Sequence, residues 1–213
     1  MRILIVGASK GTGALAVKAA LERGHEVTAF ARSPERLELN HPKLTKVRGD
    51  FHNSEDIERA VPGHDAVILT ASPGSLAGSK KDPTFFSRGT RLVIRAMQAS
   101  RVRRLIVLSG IGVGETRKLS GWIAEKFVFG MLLKVPYADL EQREQDTRES
   151  GLEWVIARPG MLTNGPATKN YVRQQGLERV SWSWSISRAD LAEFLVEAAE
   201  VDTWVGRGVQ LGG

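Results

Sequence analysis

The sequence predicts an α/β fold, a doubly wound and mostly parallel sheet with helices on both faces, on three observations. Short, continuously apolar runs such as Ile3 to Val6 recur along the chain; they suit parallel strands covered on both sides rather than strands with one wet face. Stretches with helical spacing of apolar residues separate these runs. The first run passes directly into Gly7, Gly11 and Gly13, at a Gly-x-x-x-Gly-x-Gly spacing, and then into the helix formers Ala14 to Leu21.

That strand, glycine turn and helix point to a dinucleotide site of the Rossmann type. The first turn of a helix carries unpaired N–H groups and partial positive charge, so a pyrophosphate placed there is hydrogen-bonded and electrostatically favoured. A side chain at Gly7 or Gly11 would obstruct the turn or the phosphate, and one at Gly13 would hold the helix off the strand.

Beyond this loop, Gly24 stops the helix and His25 to Ala31 reads as a second strand. Its exit is informative. An acidic residue there would hold the ribose 2′-hydroxyl of NAD, whereas a basic one accommodates the 2′-phosphate of NADP. Arg32 and Arg36 stand there with no carboxylate in the way, which favours NADP(H). Leu44 to Val47 forms a third strand whose exit offers Asp50 to the adenine and Phe51 to cover the ring. Ser54 is expected to cap the next helix, with Glu55 and Asp56 suiting its start. Asp65 to Ser72 is the fourth strand, and its small terminal residues leave room for a ribose or nicotinamide.

Pro73 to Asp82 reads as a polar loop and Pro83 to Ser100 as a helix with a core stripe of Phe85, Phe86, Leu92, Val93, Ala96 and Met97. Val102 to Ser109 is the fifth strand, with Arg101, Arg103 and Arg104 expected in a solvated loop at its start. Ser109 falls at the carboxyl end of a central strand, where open α/β sheets bind ligands. Leu119 to Leu133 is unusually apolar but too short to span a bilayer, and Glu125 and Lys126 interrupt it; a subunit interface, possible homodimer contact or pocket cover is expected. Tyr137 to Ser150 is a charged helix. Glu153 to Ala157 is a sixth strand leading to Pro159 and Gly160. Val180 to Ser185, alternating Trp182 and Trp184, reads as an edge strand, Ser187 to Asp190 as a capping arrangement, and Gln210 with Leu211 as a last short strand.

Length and composition set the bounds. The 213 residues fit a single domain over 1–213, with no linker, repeat or low-complexity tract, and with a small substrate-side region from about 111–136 and 160–185. The early first strand and the lack of a long uncharged stretch predict a soluble, cytoplasmic protein with no membrane contact. There is no cysteine, and the four histidines lack metal-ligand spacing, so no metal site is expected. A net charge of +6 favours anionic partners, but no basic stripe interleaved with aromatics suggests nucleic acid.

In order, the chain shows Gly-Ala-Ser-Lys-Gly-Thr-Gly from Gly7, Ala31-Arg32-Ser33, Gly49-Asp50, Gly63-His64-Asp65-Ala66-Val67, Leu108-Ser109, Ser150-Gly151-Leu152-Glu153-Trp154, Arg158-Pro159-Gly160 and Ser187-Arg188-Ala189-Asp190. This ordered set resembles the atypical short-chain dehydrogenase/reductases, in the NAD(P)H-binding group that includes NmrA-like proteins and flavin reductases of the biliverdin reductase B type. The resemblance implies that Gly7, Ala8, Ser9, Lys10, Gly11, Thr12 and Gly13 hold the pyrophosphate, Arg32, Ser33 and Arg36 the 2′-phosphate, and Asp50 and Phe51 the adenine. Thr70, Ala71, Ser72, Ser109, Pro159 and Gly160 would line the nicotinamide.

Two departures matter. Lys10 replaces the middle glycine common in atypical members. Catalytic members of the wider family pair a Ser with Tyr-x-x-x-Lys, but four residues after Tyr137 stands Glu141. A carboxylate there would raise a neighbouring phenol's pKa, which disfavours alcohol dehydrogenation through Ser109 and Tyr137, the candidate catalytic residues. Reduction of a flavin, a quinone or a similar small conjugated acceptor needs no such pair. The alternative is a non-catalytic, NmrA-like sensor of NADP(H).

Overall fold

The computed structural model describes residues 1–116, 134–176, 181 and 183–213. Strand β1 (Arg2–Val6) lies between β2 (Glu26–Ala31) and β4 (Ala66–Leu69), parallel to both. Beyond β2 lies β3 (Leu44–Arg48). Beyond β4 come β5 (Arg104–Leu108), β6 (Glu153–Pro159), β10 (Arg207–Gly212) and β8 (Val172–Gln175), giving the order β3-β2-β1-β4-β5-β6-β10-β8. Only β8 runs antiparallel to its neighbour. The chain builds outward from β1 in one direction and then returns to build from β4 in the other. The crevice at that reversal, outside the carboxyl ends of the strands, is where such sheets hold ligands.

The apolar runs form strands because each has two faces to bury. Ile3 and Ile5 pack with α1 (Gly11–Glu22) and α6 (Arg188–Glu200) on one side, while Leu4 and Val6 pack with α2 (Ser54–Ala60) and α4 (Phe85–Ser100) on the other. Helix α5 (Lys134–Arg148) lies against α4.

Several local expectations change. Asn53, not Ser54, caps α2, its Oδ1 accepting from the Asp56 N–H at 3.1 Å. The stretch read as a polar loop contains a short helix, α3 (Leu76–Lys81), which Ser75 starts by accepting from the Gly78 N–H. Arg104 is no solvated loop residue. It opens β5, is 8% exposed and pairs with Glu153 and Asp202. The Trp-containing edge strand is displaced: β9 (Ser185–Ser187) pairs in parallel with β7 (Met161–Thr163) as a separate two-stranded piece, a partnership no local pattern encodes. The last strand runs from Arg207 rather than Gln210, its glycines having diluted the signal. The apolar Leu119 to Leu133 segment, with the interface expected of it, lies outside the described residues, as do 177–180 and 182. Among the described residues, no helix is long and apolar enough to cross a membrane.

Candidate functional site

The turn between β1 and α1 is fixed by backbone contacts that only glycine permits. The Gly7 N–H donates to the Phe30 carbonyl at 2.9 Å, and Gly7 adopts φ +92° with the Ala71 backbone so near that a Cβ would lie 2.5 Å from its nitrogen. A Cβ on Gly13 would sit 2.3 Å from the Gly7 carbonyl oxygen and 2.6 Å from Thr70 Oγ1. Helix and strand therefore close up. Thr70 itself donates its hydroxyl to the Val6 carbonyl at 2.9 Å, so it braces the turn from β4.

The start of α1 is left open. No side chain caps it at Lys10, whereas Asn53 caps α2, Ser75 caps α3 and Ser187 caps α6. The N-terminus of α4 is met by Asp139, whose carboxylate accepts from the Phe86 and Ser87 N–H groups at 2.6 and 3.1 Å. An uncapped helix start beside exposed Lys10 retains its N–H donors for a phosphate.

A cleft of about 490 Å³ runs from this loop along the carboxyl edge of the sheet. Ser9, Lys10, Gly11, Thr12 and Gly13 line its middle. Arg32, Ser33, Arg36, Asp50 and Phe51 line one end, and Thr70, Ala71, Ser72 and Ser109 lead toward the other. Arg32 and Arg36 are exposed and have no carboxylate within ion-pair range among the described residues. Phe51 is buried and stacks at a tilt against His52 and Phe85. Phe85, Phe86, Leu140, Leu162 and Arg188 complete the walls. Sequence patterns marked Phe85 and Phe86 only as core, Arg188 only as part of a capping motif and Leu162 only as within the substrate-side region, and left Leu140 unassigned, because α5, β7 and α6 reach the cleft from distant parts of the chain.

Ala8, Pro159 and Gly160 do not line this cleft. Ala8 is fully buried in the core. The Pro159 carbonyl accepts from the Ile111 N–H at 3.0 Å, and a Cβ on Gly160 would lie 2.2 Å from the Trp184 carbonyl oxygen. Both residues are held by local contacts at the exit of β6.

Ser109 and Tyr137 are engaged from behind the cleft. The Ser109 hydroxyl donates to Glu144 Oε1 at 2.6 Å. Glu144 is fully buried and accepts from Arg158 Nε at 2.9 Å and Nη2 at 2.5 Å. Arg158 also holds Glu115 at 2.6 and 3.0 Å, joining β6, α5 and the loop after β5. Burial acts against the Arg158 charge, but Glu144 and Glu115 outweigh it and hold its pKa above the ordinary value. The hydroxyl proton of Ser109 is thereby committed to a buried carboxylate. With that proton engaged, the Ser109 oxygen keeps only acceptor capacity for a ligand in the cleft it lines. The Tyr137 hydroxyl donates to the Ile111 carbonyl at 3.0 Å, and burial raises its pKa, so it is a neutral phenol at physiological pH. Burial is the cause, not Glu141, which is exposed. Tyr137 does not line the cleft.

One turn before Thr147, Arg143 is almost fully buried and donates to the Leu108 carbonyl at 2.8 Å and the Leu69 carbonyl at 3.3 Å, over the Phe86 ring. Burial lowers its pKa to about 10, still cationic at neutral pH. It pins α5 to the ends of β4 and β5. Among the described residues, no cluster of His, Asp or Glu has the arrangement of a metal site.

Residues 7–202 match the model of an NAD(P)H-binding family. YhfK of Bacillus subtilis, named as an uncharacterised sugar epimerase, is 26% identical over 99% of this chain and 94% of its own length. A 2-alkyl-3-oxoalkanoate reductase of Stenotrophomonas maltophilia is 30% identical over 81% of this chain. The chain spans about half the length of that reductase, at 54%, and 31% of a 3-beta-hydroxysteroid dehydrogenase of Mycolicibacterium neoaurum that it also matches. In structure it is similar to the oxidoreductase ylbE of Lactococcus lactis, with a TM-score of 0.80, 24% identity and coverage of 100% of this chain and 91% of that one. It is also similar to a Veillonella parvula short-chain dehydrogenase/reductase in complex with NADP, with a TM-score of 0.78, 22% identity and coverage of 100% and 94%. At such identities the two structures establish the fold alone. The chain belongs to the NAD(P)H-binding family, and its sheet has the Rossmann-type order.

Proposed function

We propose that this protein is an NADPH-dependent reductase of a flavin, a quinone or a similar conjugated small molecule. The observation that carries the reading is that one cleft is lined by Arg32 and Arg36, which no acid among the described residues neutralises, by the open start of α1, and by the apolar Phe86, Leu140 and Leu162. Arg32, Ser33 and Arg36 would take the 2′-phosphate, and Lys10 with the first turn of α1 the pyrophosphate. Bound NADPH would supply the hydride. Phe86, Leu140 and Leu162 would hold a planar acceptor and exclude water from it. Because the Ser109 and Tyr137 hydroxyls are committed inside the protein, neither is presented as an acid to a carbonyl oxygen. That favours an acceptor whose reduced form takes its proton from water. The reductases among the relatives agree in reaction class.

The test is an acceptor panel. NADPH oxidation followed by its absorbance, with FMN, FAD, riboflavin and neutral quinones, is expected to show turnover with at least one, and tight NADPH binding with no oxidation by any would overturn the reading. The engaged hydroxyls also favour a second reading, an NmrA-like sensor that binds NADP(H) without turning it over. Tight binding without turnover, together with a protein partner retained in one cofactor state only, is its expected signature.

A further inference from the structure

Arg188 is the cation in the cleft that the dinucleotide leaves unused. It opens α6 in the motif Ser187-Arg188-Ala189-Asp190, and its half-buried side chain lines the cleft next to Leu162. Nη1 donates to Asn164 Oδ1 at 2.7 Å and, more weakly, to the Leu162 carbonyl at 3.4 Å. Those contacts use one of its three nitrogens. No carboxylate of the described residues lies within ion-pair range, whereas Arg23, Arg104, Arg158 and Arg173 each hold one. The guanidinium is thus held in place, with no counter-charge among the described residues.

Its position separates it from the 2′-phosphate. Arg32 follows β2, and Leu162 follows β6, four strand intervals away in the order β2-β1-β4-β5-β6. At about 4.8 Å per interval this is roughly 19 Å. The glycine loop, at the end of β1, falls between them. Arg188 therefore stands at the acceptor end beside Leu162, and Ser109, which lines the same cleft, has its hydroxyl proton held by Glu144. Among the described residues lining that end of the cleft, Arg188 is the side chain that offers an oxyanion a positive charge.

We propose that Arg188 forms an anion subsite, so that the preferred acceptor is a planar conjugated molecule bearing a carboxylate or a phosphate. The inference rests on the reductase reading above. A guanidinium whose Nε and Nη2 are not used by those contacts suits either oxyanion by a paired hydrogen bond, and a charge-assisted bond of this kind is worth roughly tenfold or more in affinity.

The experiment compares matched pairs: FMN against riboflavin for phosphate, and a carboxylated naphthoquinone against its neutral parent for carboxylate. Equilibrium binding to the NADP⁺-loaded protein, by quenching of flavin fluorescence or by calorimetry, is measured beside NADPH oxidation. The anionic member of at least one pair is expected to bind roughly tenfold more tightly, and the pair that shows it identifies the oxyanion. In Arg188→Gln the ratio should fall toward one, with NADP⁺ affinity unchanged, while Arg188→Lys should keep part of it. Thermal melting of each variant separates loss of fold from loss of contact. Equal binding within both pairs, an unchanged ratio in Arg188→Gln, or loss of NADP⁺ affinity in that variant would overturn the subsite. Anion-selective binding without NADPH oxidation would keep the subsite and remove the reductase reading.

Discussion

Arg32 and Ser109 show how far one side chain's surroundings decide its use. Arg32 is exposed just after β2 with no acid among the described residues to neutralise it, so its charge is available to a phosphate. Arg32→Asp should weaken NADPH by roughly 10- to 100-fold while leaving NADH much less affected; fluorescence titration with both forms checks this, and an equal loss for both would show that the 2′-phosphate is not read there. Ser109 is the opposite case. Its place at a strand's carboxyl end was legible from the apolar run before it, but its polarity was not, because Glu144 lies 35 residues away and Arg158 a further 14. Glu144 is brought to Ser109 only when α5 docks. A buried pair such as Glu144 and Arg158 is costly to break from one side, about 3–5 kcal/mol, because the survivor is left as an unpaired buried charge. Variants of Ser109 are therefore cleaner probes of chemistry than variants of Glu144.

Among the elements, α6 is the one whose start does more than the sequence motif implies. Ser187 and Asp190 form the expected cap: Ser187 Oγ accepts the Asp190 N–H at 2.9 Å and donates to Asp190 Oδ2 at 2.8 Å. Asp190 also accepts from the Thr168 and Lys169 N–H groups at 2.8 and 2.7 Å, so the helix start anchors the chain between β7 and β8. Burial pushes its carboxyl upward, but these backbone bonds and the Ser187 and Thr168 hydroxyls outweigh that and hold its pKa below the ordinary value. A depressed folded-state pKa means that this stabilisation is present above the unfolded value of about 3.9 and is lost as pH falls through the folded one. Asp190→Asn should be destabilised at about pH 7, with the gap to wild type narrowing toward about pH 3; urea midpoints at the two pH values measure it, and a constant gap would assign the effect to the helix cap alone. The strands β1, β4, β5 and β6 were legible because each is a local apolar run. The β7–β9 pair and α3 were not: three-residue strands and a single helical turn carry too little pattern of their own, and tertiary neighbours decide them.

For the whole molecule, the cleft draws its walls from both halves of the sheet, with Arg32 after β2 and Ser109 after β5, and from the β7–β9 piece and α6 through Leu162 and Arg188. A ligand that touches both binds the folded state and not the unfolded chain. NADPH at about 100 times its Kd should add about 2.7 kcal/mol to the unfolding free energy. A larger rise in Tm with NADPH than with NADH at equal concentration is expected by calorimetry; equal shifts would place the 2′-phosphate outside the cleft. The Rossmann-type order was readable because a glycine turn after a central strand restricts the topology to few choices. The far end of the cleft was less readable, since it depends on side chains converging from α4, α5, β7 and α6.

The bonds of Arg143 to the ends of β4 and β5 have a consequence in time. Displacing α5 would strip two strand carbonyls of their donor and drag a buried cation with it, so that wall of the cleft is slow to move. The β7–β9 pair is held by three register positions in a sheet of its own, and local opening is cheapest where fewest buried bonds must break. Amide hydrogen exchange should therefore be slow along β4, β5 and α5 and fast through β7 and β9, and the rate at which an acceptor enters and leaves would be set by the side that carries Arg188.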